Sequence, residues 1–150
     1  MKLHDLYNEI IEHFSENKCF LDENLKYVLE QYNEDDWKQY VLIKENQYNR
    51  IKLFENKHFE VLLLVWDTKQ EAHIHDHAEN GCWLKLLKGK LKESIYSKSF
   101  DLLKMNEVNE NNISFMTNDK GYHSIENINN DISVSLHIYS PPNHKTNFFF

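Results

Sequence analysis

The segment His73-Ile74-His75-Asp76-His77 carries three imidazoles at alternating positions. Residues two apart on a strand point to the same face of a sheet, so these side chains could line one side. Two neighbouring imidazoles can chelate one metal ion, and a further ligand must then come from another part of the chain. The segment alone allows two chelating pairs, His73 with His75 or His75 with His77.

Arg50 is the only arginine in a chain whose lysines and arginines total 17. Its guanidinium can donate two parallel hydrogen bonds to a carboxylate, a geometry that the point charge of a lysine does not reproduce. A sole arginine in a lysine-rich chain therefore indicates a site for an anionic group, unless it is a chance surface cation.

Polar residues also alternate near the end of the chain. Ser135, His137 and Tyr139 are interleaved with apolar residues, so one face of a strand is polar and the other apolar. Such groups are costly to bury unless they satisfy one another's hydrogen bonds. The pattern predicts either a buried hydrogen-bond relay or an ordinary strand with its polar face in solvent.

Helical and extended segments that could position these residues follow one another along the chain. Apolar periodicity over residues 3–14 and 21–32, and an acidic start to a short segment at 33–41, predict three helices. Short segments rich in β-branched and aromatic residues then predict strands at 48–54, 59–66, 82–87, 91–97, 113–116 and 132–139. Asparagine-rich residues 106–112, together with 127–131, predict exposed loops, and Trp66 and Trp83 are expected to be core residues.

These elements predict one domain over residues 1–150. We expect a mainly β fold, with a helical cap over about residues 1–45 and an antiparallel β-barrel over about 46–150.

The composition and charge of the chain argue against several classes of protein. The 24 acidic and 17 basic residues give a formal net charge of −7, which argues against binding to a nucleic-acid backbone. No apolar run approaches the roughly 18 residues of a membrane span, and the first residues do not lead into a signal peptide. Two cysteines, Cys19 and Cys82, are too few for a disulfide framework, and Cys19 is expected to be structural. We expect a cytoplasmic monomer without nucleic-acid or membrane partners.

The residues that follow the histidine segment resemble the metal-binding motifs of the cupin superfamily. Cys82 follows His77 by five residues, at a position that is usually glutamate, and Gly89 comes seven residues later. The second cupin motif ends in a histidine that is followed four residues later by an asparagine. In this chain, these residues are His123 and Asn127. In this second motif, Asn118 replaces the usual proline.

The cupin resemblance implies a metal site made of His75, His77 and His123, with His73 outside it. Three imidazoles on one face of a metal ion leave up to three positions open, which suits a bidentate substrate and dioxygen on ferrous iron. Zinc and manganese also accept imidazole ligands, so the donor set alone does not select the metal.

The chain resembles one cupin family in particular, the cysteine dioxygenases. The matching segments occur in the family's order and cover most of the chain from residue 48 to residue 142. They are Tyr48-Asn49-Arg50, Ile74-His75-Asp76-His77, Cys82-Trp83-Leu84-Lys85-Leu86-Leu87, Gly89, Leu91-Lys92-Glu93, Gly121-Tyr122-His123, Glu126-Asn127 and Ser135-Leu136-His137-Ile138-Tyr139-Ser140-Pro141-Pro142.

This resemblance implies an enzyme that oxidises L-cysteine with O2 to cysteine sulfinic acid at a mononuclear Fe(II) site. It assigns Arg50 to the substrate carboxylate and places Tyr48 at the substrate end of the site. It also implies a catalytic relay, in which Ser135 holds His137 and the histidine holds the phenol of Tyr139.

The family resemblance also implies a thioether bond between Cys82 and Tyr139, which occurs in part of the family. Many bacterial relatives have glycine at the cysteine position, and Gly81 precedes Cys82, so a one-residue shift of register would exchange the two. Counting from His75 without a gap places Cys82, and not Gly81, at the family's cysteine position. A free buried thiol is the alternative to the thioether. The family further has a cis peptide at the position of Ser140-Pro141.

Two other functions stay open. A dioxygenase of another small thiol, such as 3-mercaptopropionate, would use a similar metal site, but relatives of that kind tend to have glutamine where Arg50 stands. A non-catalytic cupin that binds a small molecule would retain the fold and consume no oxygen.

Overall fold

A computed structural model describes residues 1–16 and 23–150 of the chain. Two helices come first, α1 (Leu3–Ser15) and α2 (Glu23–Gln31), and a 3-10 helix follows at Asp36–Tyr40. Another 3-10 helix, Asn118–Lys120, lies later in the chain among the strands. The strands in these ranges are β1 (Asn49–Glu55), β2 (Glu60–Trp66), β3 (Glu71–His75), β4 (Gly81–Lys88), β5 (Lys90–Tyr96), β6 (Leu102–Asn109), β7 (Ile113–Met116), β8 (Tyr122–Asn127) and β9 (Ser133–Ser140). No helix within the described ranges is long and apolar enough to span a membrane. Cys19 and the predicted helix start at Leu21 lie outside the described residues.

The strands form two antiparallel sheets. Five strands have the order β1-β2-β9-β4-β7, and four have the order β3-β8-β5-β6. One hydrophobic cluster lies between the sheets, and another lies between the five-stranded sheet and the helices. The predicted mainly β fold with an N-terminal helical cap is confirmed, and the predicted barrel consists of two facing antiparallel sheets, a jelly-roll, rather than one closed sheet.

β2 and β9 lie at the centre of the five-stranded sheet and are buried on both faces. Val61, Leu63 and Val65 pack against the helices, whereas the alternating residues of β2 face the second sheet. β9 pairs antiparallel with β2, and its residues Ser135 and His137 stand opposite β2 residues that face inward. The polar face of β9 therefore lies between the sheets and not in solvent, since both residues are buried.

The structure differs from the sequence prediction in several elements, and β8, which carries His123, is a strand that the sequence does not predict. Residues 106–109, predicted as part of a loop, belong to β6, a strand at the edge of the four-stranded sheet. Polar asparagines are tolerated there because an edge strand with a solvated face needs no apolar pattern. β3 ends at His75, so His77 lies in the following loop and not on the strand. The third predicted helix is a single 3-10 helix.

Lys85 joins the helical cap to the five-stranded sheet. The residue is on β4 and is 1% exposed. Its Nζ donates hydrogen bonds to the carbonyl oxygens of Leu29 and Tyr32, at 2.8 and 2.5 Å, and to Oδ1 of Asn33 at 3.3 Å. The last carbonyls of a helix have no partner within the helix, and a cation beside them also favours the helix dipole. Burial lowers the pKa of Lys85, because its charge is removed from water.

We expect Lys85→Ala to lower the free energy of unfolding by about 3 kcal/mol, because buried carbonyls at the end of α2 lose their donor. Urea denaturation measures the change. Lys88→Ala is the control on the same strand, since the Lys88 ammonium forms an exposed ion pair with Asp131. The control is expected to change stability by less than about 1 kcal/mol. Equal losses in the two variants would contradict the role given to Lys85.

Candidate metal centre

Three imidazoles meet where β3 and β8 lie side by side. His75 ends β3 directly opposite His123 on β8, and His77 approaches from the loop after β3. The Nε2 atoms of His75 and His123 are 3.0 Å apart. One ring nitrogen from each of the three residues lies within 4.8 Å of the others. The structure thus brings together the three residues predicted as metal ligands, and their role as ligands stays a prediction.

Hydrogen bonds orient two of these imidazoles. Nδ1 of His75 lies 2.6 Å from the backbone carbonyl oxygen of His73, which leaves Nε2 facing the cluster. Nδ1 of His123 lies 2.8 Å from Oε2 of Glu93 on β5, and both side chains are buried. Acceptors behind the ligand histidines are typical of metal sites, because they fix the tautomer and raise the basicity of the ligating nitrogen.

His77 is held through its backbone instead. Oδ1 of Asn118 accepts a hydrogen bond from the His77 backbone N–H at 2.9 Å, and Nδ2 of Asn118 donates to the His77 carbonyl at 3.1 Å. Both ring nitrogens of His77 are buried and have no hydrogen-bond partner within the described part of the chain. Burial lowers the pKa of all three cluster imidazoles, and neighbouring imidazoles lower it further at His77 and His123. The rings are therefore neutral, with lone pairs available for a ligand.

The cluster fits a divalent transition-metal ion. A buried polar group without a partner is costly, and a metal ion held by the three nitrogens would remove that cost at His77. Neutral imidazoles are good ligands for iron, zinc, copper and nickel. His73 is exposed, and its Nδ1 faces a carboxylate oxygen of Glu71 at 3.4 Å. It therefore lies outside the cluster, as the sequence predicts.

A small cavity of about 20 Å³ adjoins the imidazoles, and Tyr48, Arg50, His75, His123 and Tyr139 all contribute to its lining. The guanidinium carbon of Arg50 lies 5.8 Å from the centre of the Tyr139 ring. Arg50 is exposed on its other side, where it lines an outer cavity of about 720 Å³. Its positive charge therefore lies at the boundary between the imidazole cluster and the outer cavity.

The polar residues of β9 form a buried hydrogen-bond relay toward this cavity. Oγ of Ser135 lies 2.7 Å from Nε2 of His137, and Nδ1 of His137 lies 3.2 Å from the Tyr139 hydroxyl. Burial raises the pKa of Tyr139 and lowers the pKa of His137, so both side chains are neutral. β9 ends at Ser140, and the Ser140–Pro141 peptide bond is cis, as the family resemblance implies.

Cys82 lies on β4 directly opposite Tyr139 on β9. Its Sγ is 3.6 Å from Nδ1 of His137, and burial raises the pKa of its thiol. Gly81 has a φ of 104°, and a Cβ added there would lie 2.8 Å from the carbonyl oxygen of Met116. The register therefore follows the ungapped count, with glycine at the strained turn position and cysteine beside the tyrosine. The thioether itself stays a prediction.

Residues 144–149 form a wall along the outer side of β3. Phe149 N donates to the carbonyl of Ile74 at 2.8 Å, and Asp76 N donates to the carbonyl of Asn147 at 3.2 Å. The Asp76 carboxylate in turn accepts from the backbone N–H and side-chain amide of Asn147, at 2.9 and 2.8 Å. Thr146 lines the inner cavity. The loop between two of the imidazoles is thereby attached to a distant segment of the chain.

Three residues that support the site could not be identified from the sequence. Glu93 lies in a segment that matches the family, but no motif marks it as the partner of His123. Asn118 carries a signal, because it stands where the cupin motif usually has proline. Trp66 was expected to be a core residue; it is fully buried, but its indole N–H also donates to Oγ of Ser135 at 2.9 Å.

The two facing sheets and the three-imidazole cluster between them define a cupin. Among solved structures, a protein with a double-stranded β-helix domain from Klebsiella pneumoniae is similar, with a TM-score of 0.63 and 14% identity, covering 78% of this chain and 96% of that chain. A cupin superfamily protein from Desulfitobacterium hafniense has a TM-score of 0.56 and 12% identity, covering 73% of this chain and 92% of that chain. These similarities establish the fold.

Sequence comparison identifies the family within the cupins. The family model for cysteine dioxygenase type I matches residues 2–150 of this chain. Cysteine dioxygenase type 1 of Rattus norvegicus is 33% identical over 150 residues, covering 93% of this chain and 74% of the rat protein. The Danio rerio protein of the same name is 30% identical over 151 residues, covering 93% of this chain and 75% of its own length. The chain belongs to the cysteine dioxygenase type I family of enzymes.

We expect Glu93→Gln to weaken the binding of a divalent metal ion by about 10- to 100-fold. The amide keeps the size of the side chain but removes the negative charge that makes His123 more basic. Competition with a chelator for Co(II) measures the dissociation constant. Glu126→Gln is the control, because Glu126 lies on β8 in a half-exposed ion pair with Lys92. An unchanged dissociation constant in Glu93→Gln would exclude this role for the carboxylate.

Proposed function

We propose that the protein oxidises L-cysteine with O2 to cysteine sulfinic acid at an Fe(II) ion held by His75, His77 and His123. Family membership and the cluster of three neutral imidazoles support this assignment. The observation that carries it is the presence of Arg50 on one cavity with His75 and His123. The inner cavity has room for about one water molecule, so a small amino acid would extend from the outer cavity, with its thiol toward the metal and its carboxylate on the guanidinium.

The chemistry of the reaction is balanced without a further reductant. A thiol R–SH and O2 give R–SO2H, in which sulfur loses four electrons and both oxygen atoms accept them. Bound to the three imidazoles, Fe(II) would supply positions for the thiolate and amine of cysteine and for dioxygen. The protein itself must orient the substrate and keep its own polar groups neutral in a buried site.

Arg50 and Tyr48 orient the substrate in this proposal. Arg50 offers the carboxylate two charge-assisted hydrogen bonds at the boundary of the inner cavity. Tyr48 is half-buried and stacks on Trp66 with ring centres 4.5 Å apart. Burial raises the pKa of Tyr48, so its hydroxyl is a neutral hydrogen-bond partner beside the guanidinium.

Ser135, His137 and Tyr139 form the catalytic relay in this proposal. The relay holds a neutral phenol at the cavity, where the hydroxyl can donate a hydrogen bond to the substrate. Cys82 lies beside the phenol, and a thioether from its Sγ to the ring carbon ortho to the hydroxyl would fix the ring. That bond removes one hydrogen from the thiol and one from the ring carbon, with dioxygen as the oxidant.

Oxygen consumption by the iron-loaded protein tests the proposed function. After anaerobic loading with Fe(II), L-cysteine and air are expected to give one cysteine sulfinate for each O2 consumed, measured with an oxygen electrode and mass spectrometry. A higher kcat/KM with 3-mercaptopropionate than with L-cysteine would contradict L-cysteine as the substrate. No uptake with any thiol, despite bound iron, would indicate a small-molecule binding protein instead.

We expect Arg50→Gln to lower kcat/KM for L-cysteine by about 100-fold, mainly through KM, because a bidentate contact to the carboxylate is lost. Preference should shift toward 3-mercaptopropionate in the same variant. Steady-state kinetics with both thiols measure the change. Lys52→Gln is the matched control on β1, since the Lys52 ammonium lies 3.1 Å from Glu60. Unchanged KM values for cysteine in Arg50→Gln would remove the arginine from the substrate site.

A further inference from the structure

We infer that Trp66 sets the direction of the hydrogen-bond relay, so that the Tyr139 hydroxyl is left as a donor toward the cavity. Trp66 is thus a positioning residue that acts through Ser135 and His137. Its catalytic meaning rests on the proposed function, but the direction of the relay is a property of the folded protein and can be tested without turnover.

The indole N–H of Trp66 is a group that can only donate a hydrogen bond. Trp66 is the last residue of β2 and is fully buried, and its Nε1 lies 2.9 Å from Oγ of Ser135. An indole nitrogen has no lone pair for hydrogen bonding, so this contact has one possible direction. Ser135 is therefore the acceptor.

The Ser135 hydroxyl must then donate to His137. Among the described residues, Trp66 and His137 are the two hydrogen-bond partners of this hydroxyl. The hydroxyl has a single proton, and a buried proton without an acceptor is costly. The remaining neighbour is Nε2 of His137 at 2.7 Å, which makes Nε2 the acceptor.

The tautomer of His137 follows from this contact. A neutral imidazole carries one proton, and with Nε2 accepting, that proton is on Nδ1. Nδ1 lies 3.2 Å from the Tyr139 hydroxyl and 3.6 Å from Sγ of Cys82. The Cys82 thiol can donate its own hydrogen to the Trp83 carbonyl at 3.5 Å, so its sulfur can accept. Both neighbours of Nδ1 are compatible with an N–H at this position.

The last link determines what Tyr139 can do. Its hydroxyl accepts from His137, so its own proton is free to point into the cavity shared with Arg50 and His75. Without the indole, a water molecule in the vacated space could accept the Ser135 proton, so Ser135 could instead accept from His137 Nε2 and Tyr139 would then donate to Nδ1. In that reversed state, the phenol proton faces the histidine and not the substrate. Trp66 therefore selects between two directions of the same relay.

Nitrogen-15 NMR of histidine-labelled protein tests this inference directly. In the Zn(II)-loaded full chain, His137 is expected to show the Nδ1–H tautomer, because the ring shifts of the two nitrogens differ between tautomers. Trp66→Phe keeps a buried aromatic ring against Tyr48 and replaces the indole N–H by space for one water molecule. Because a water can donate or accept, we expect the Nε2–H tautomer to appear beside the Nδ1–H form in this variant. Trp37→Phe, which changes a buried tryptophan of the cap, should leave the tautomer unchanged.

Two results would overturn the inference. One is an Nε2–H tautomer of His137 in the wild-type protein, and the other is an unchanged Nδ1–H tautomer in Trp66→Phe. Should Trp66→Phe fail to fold, Ser135→Ala removes the next link and is expected to release the same constraint on His137. A wild-type tautomer in Ser135→Ala would then contradict the proposal.

Kinetics of the iron-loaded variants test the catalytic meaning. Trp66→Phe is expected to lower kcat for cysteine by about 10-fold and to change KM less than kcat, because Arg50 and an aromatic ring against Tyr48 are both retained. The double variant with Ser135→Ala should lose no more than Ser135→Ala alone, because both act through one relay. Independent, additive losses would contradict the shared relay. If the wild-type protein consumes no oxygen, the proposed function fails while the NMR result for the relay still stands.

Discussion

The burial of three neutral imidazoles around one point is the constraint on which the rest of the site depends. Removing these rings from water lowers the pKa of each and leaves the ring nitrogens of His77 without partners among the described residues. Such a cluster is unfavourable in itself, because buried polar atoms normally find hydrogen-bond partners. The surrounding fold therefore has to hold the rings in place, and a bound metal ion would compensate for their burial.

The fold holds them with contacts of different kinds. Antiparallel pairing of β3 with β8 places His75 opposite His123. A carboxylate holds the second of these rings, and a side-chain amide holds the backbone at His77. The hydrophobic cluster between the sheets surrounds the polar residues of β9, which makes each of their hydrogen bonds more important. Metal site and relay are thus two polar networks built into one apolar interior.

Much of this architecture could be predicted from the sequence. Alternation on β9 predicts its polar face, and the spacing of the histidine segment predicts a chelating pair. Contacts between residues far apart in the chain could not be predicted, because no local pattern links Glu93 to His123 or Trp66 to Ser135. β6 was missed for a different reason, since an edge strand with a solvated face carries little hydrophobic signal. Trp66 shows that a buried aromatic residue can satisfy the expectation for a core residue and still carry a directed hydrogen bond.

The contacts of residues 144–149 with the histidine loop have a consequence for when the imidazole cluster is completed. Asp76 and Asn147, which join that wall to the histidine loop, are 71 residues apart, and His75 and His123 are 48 apart. During synthesis, His75 and His77 emerge from the ribosome before His123, and before Asn118 and Asn147, which hold the histidine loop. Bringing such distant segments together costs chain entropy, which is recovered only when the late contacts form. The three-imidazole cluster is therefore complete, and attached to residues 144–149, only late in the synthesis of the chain.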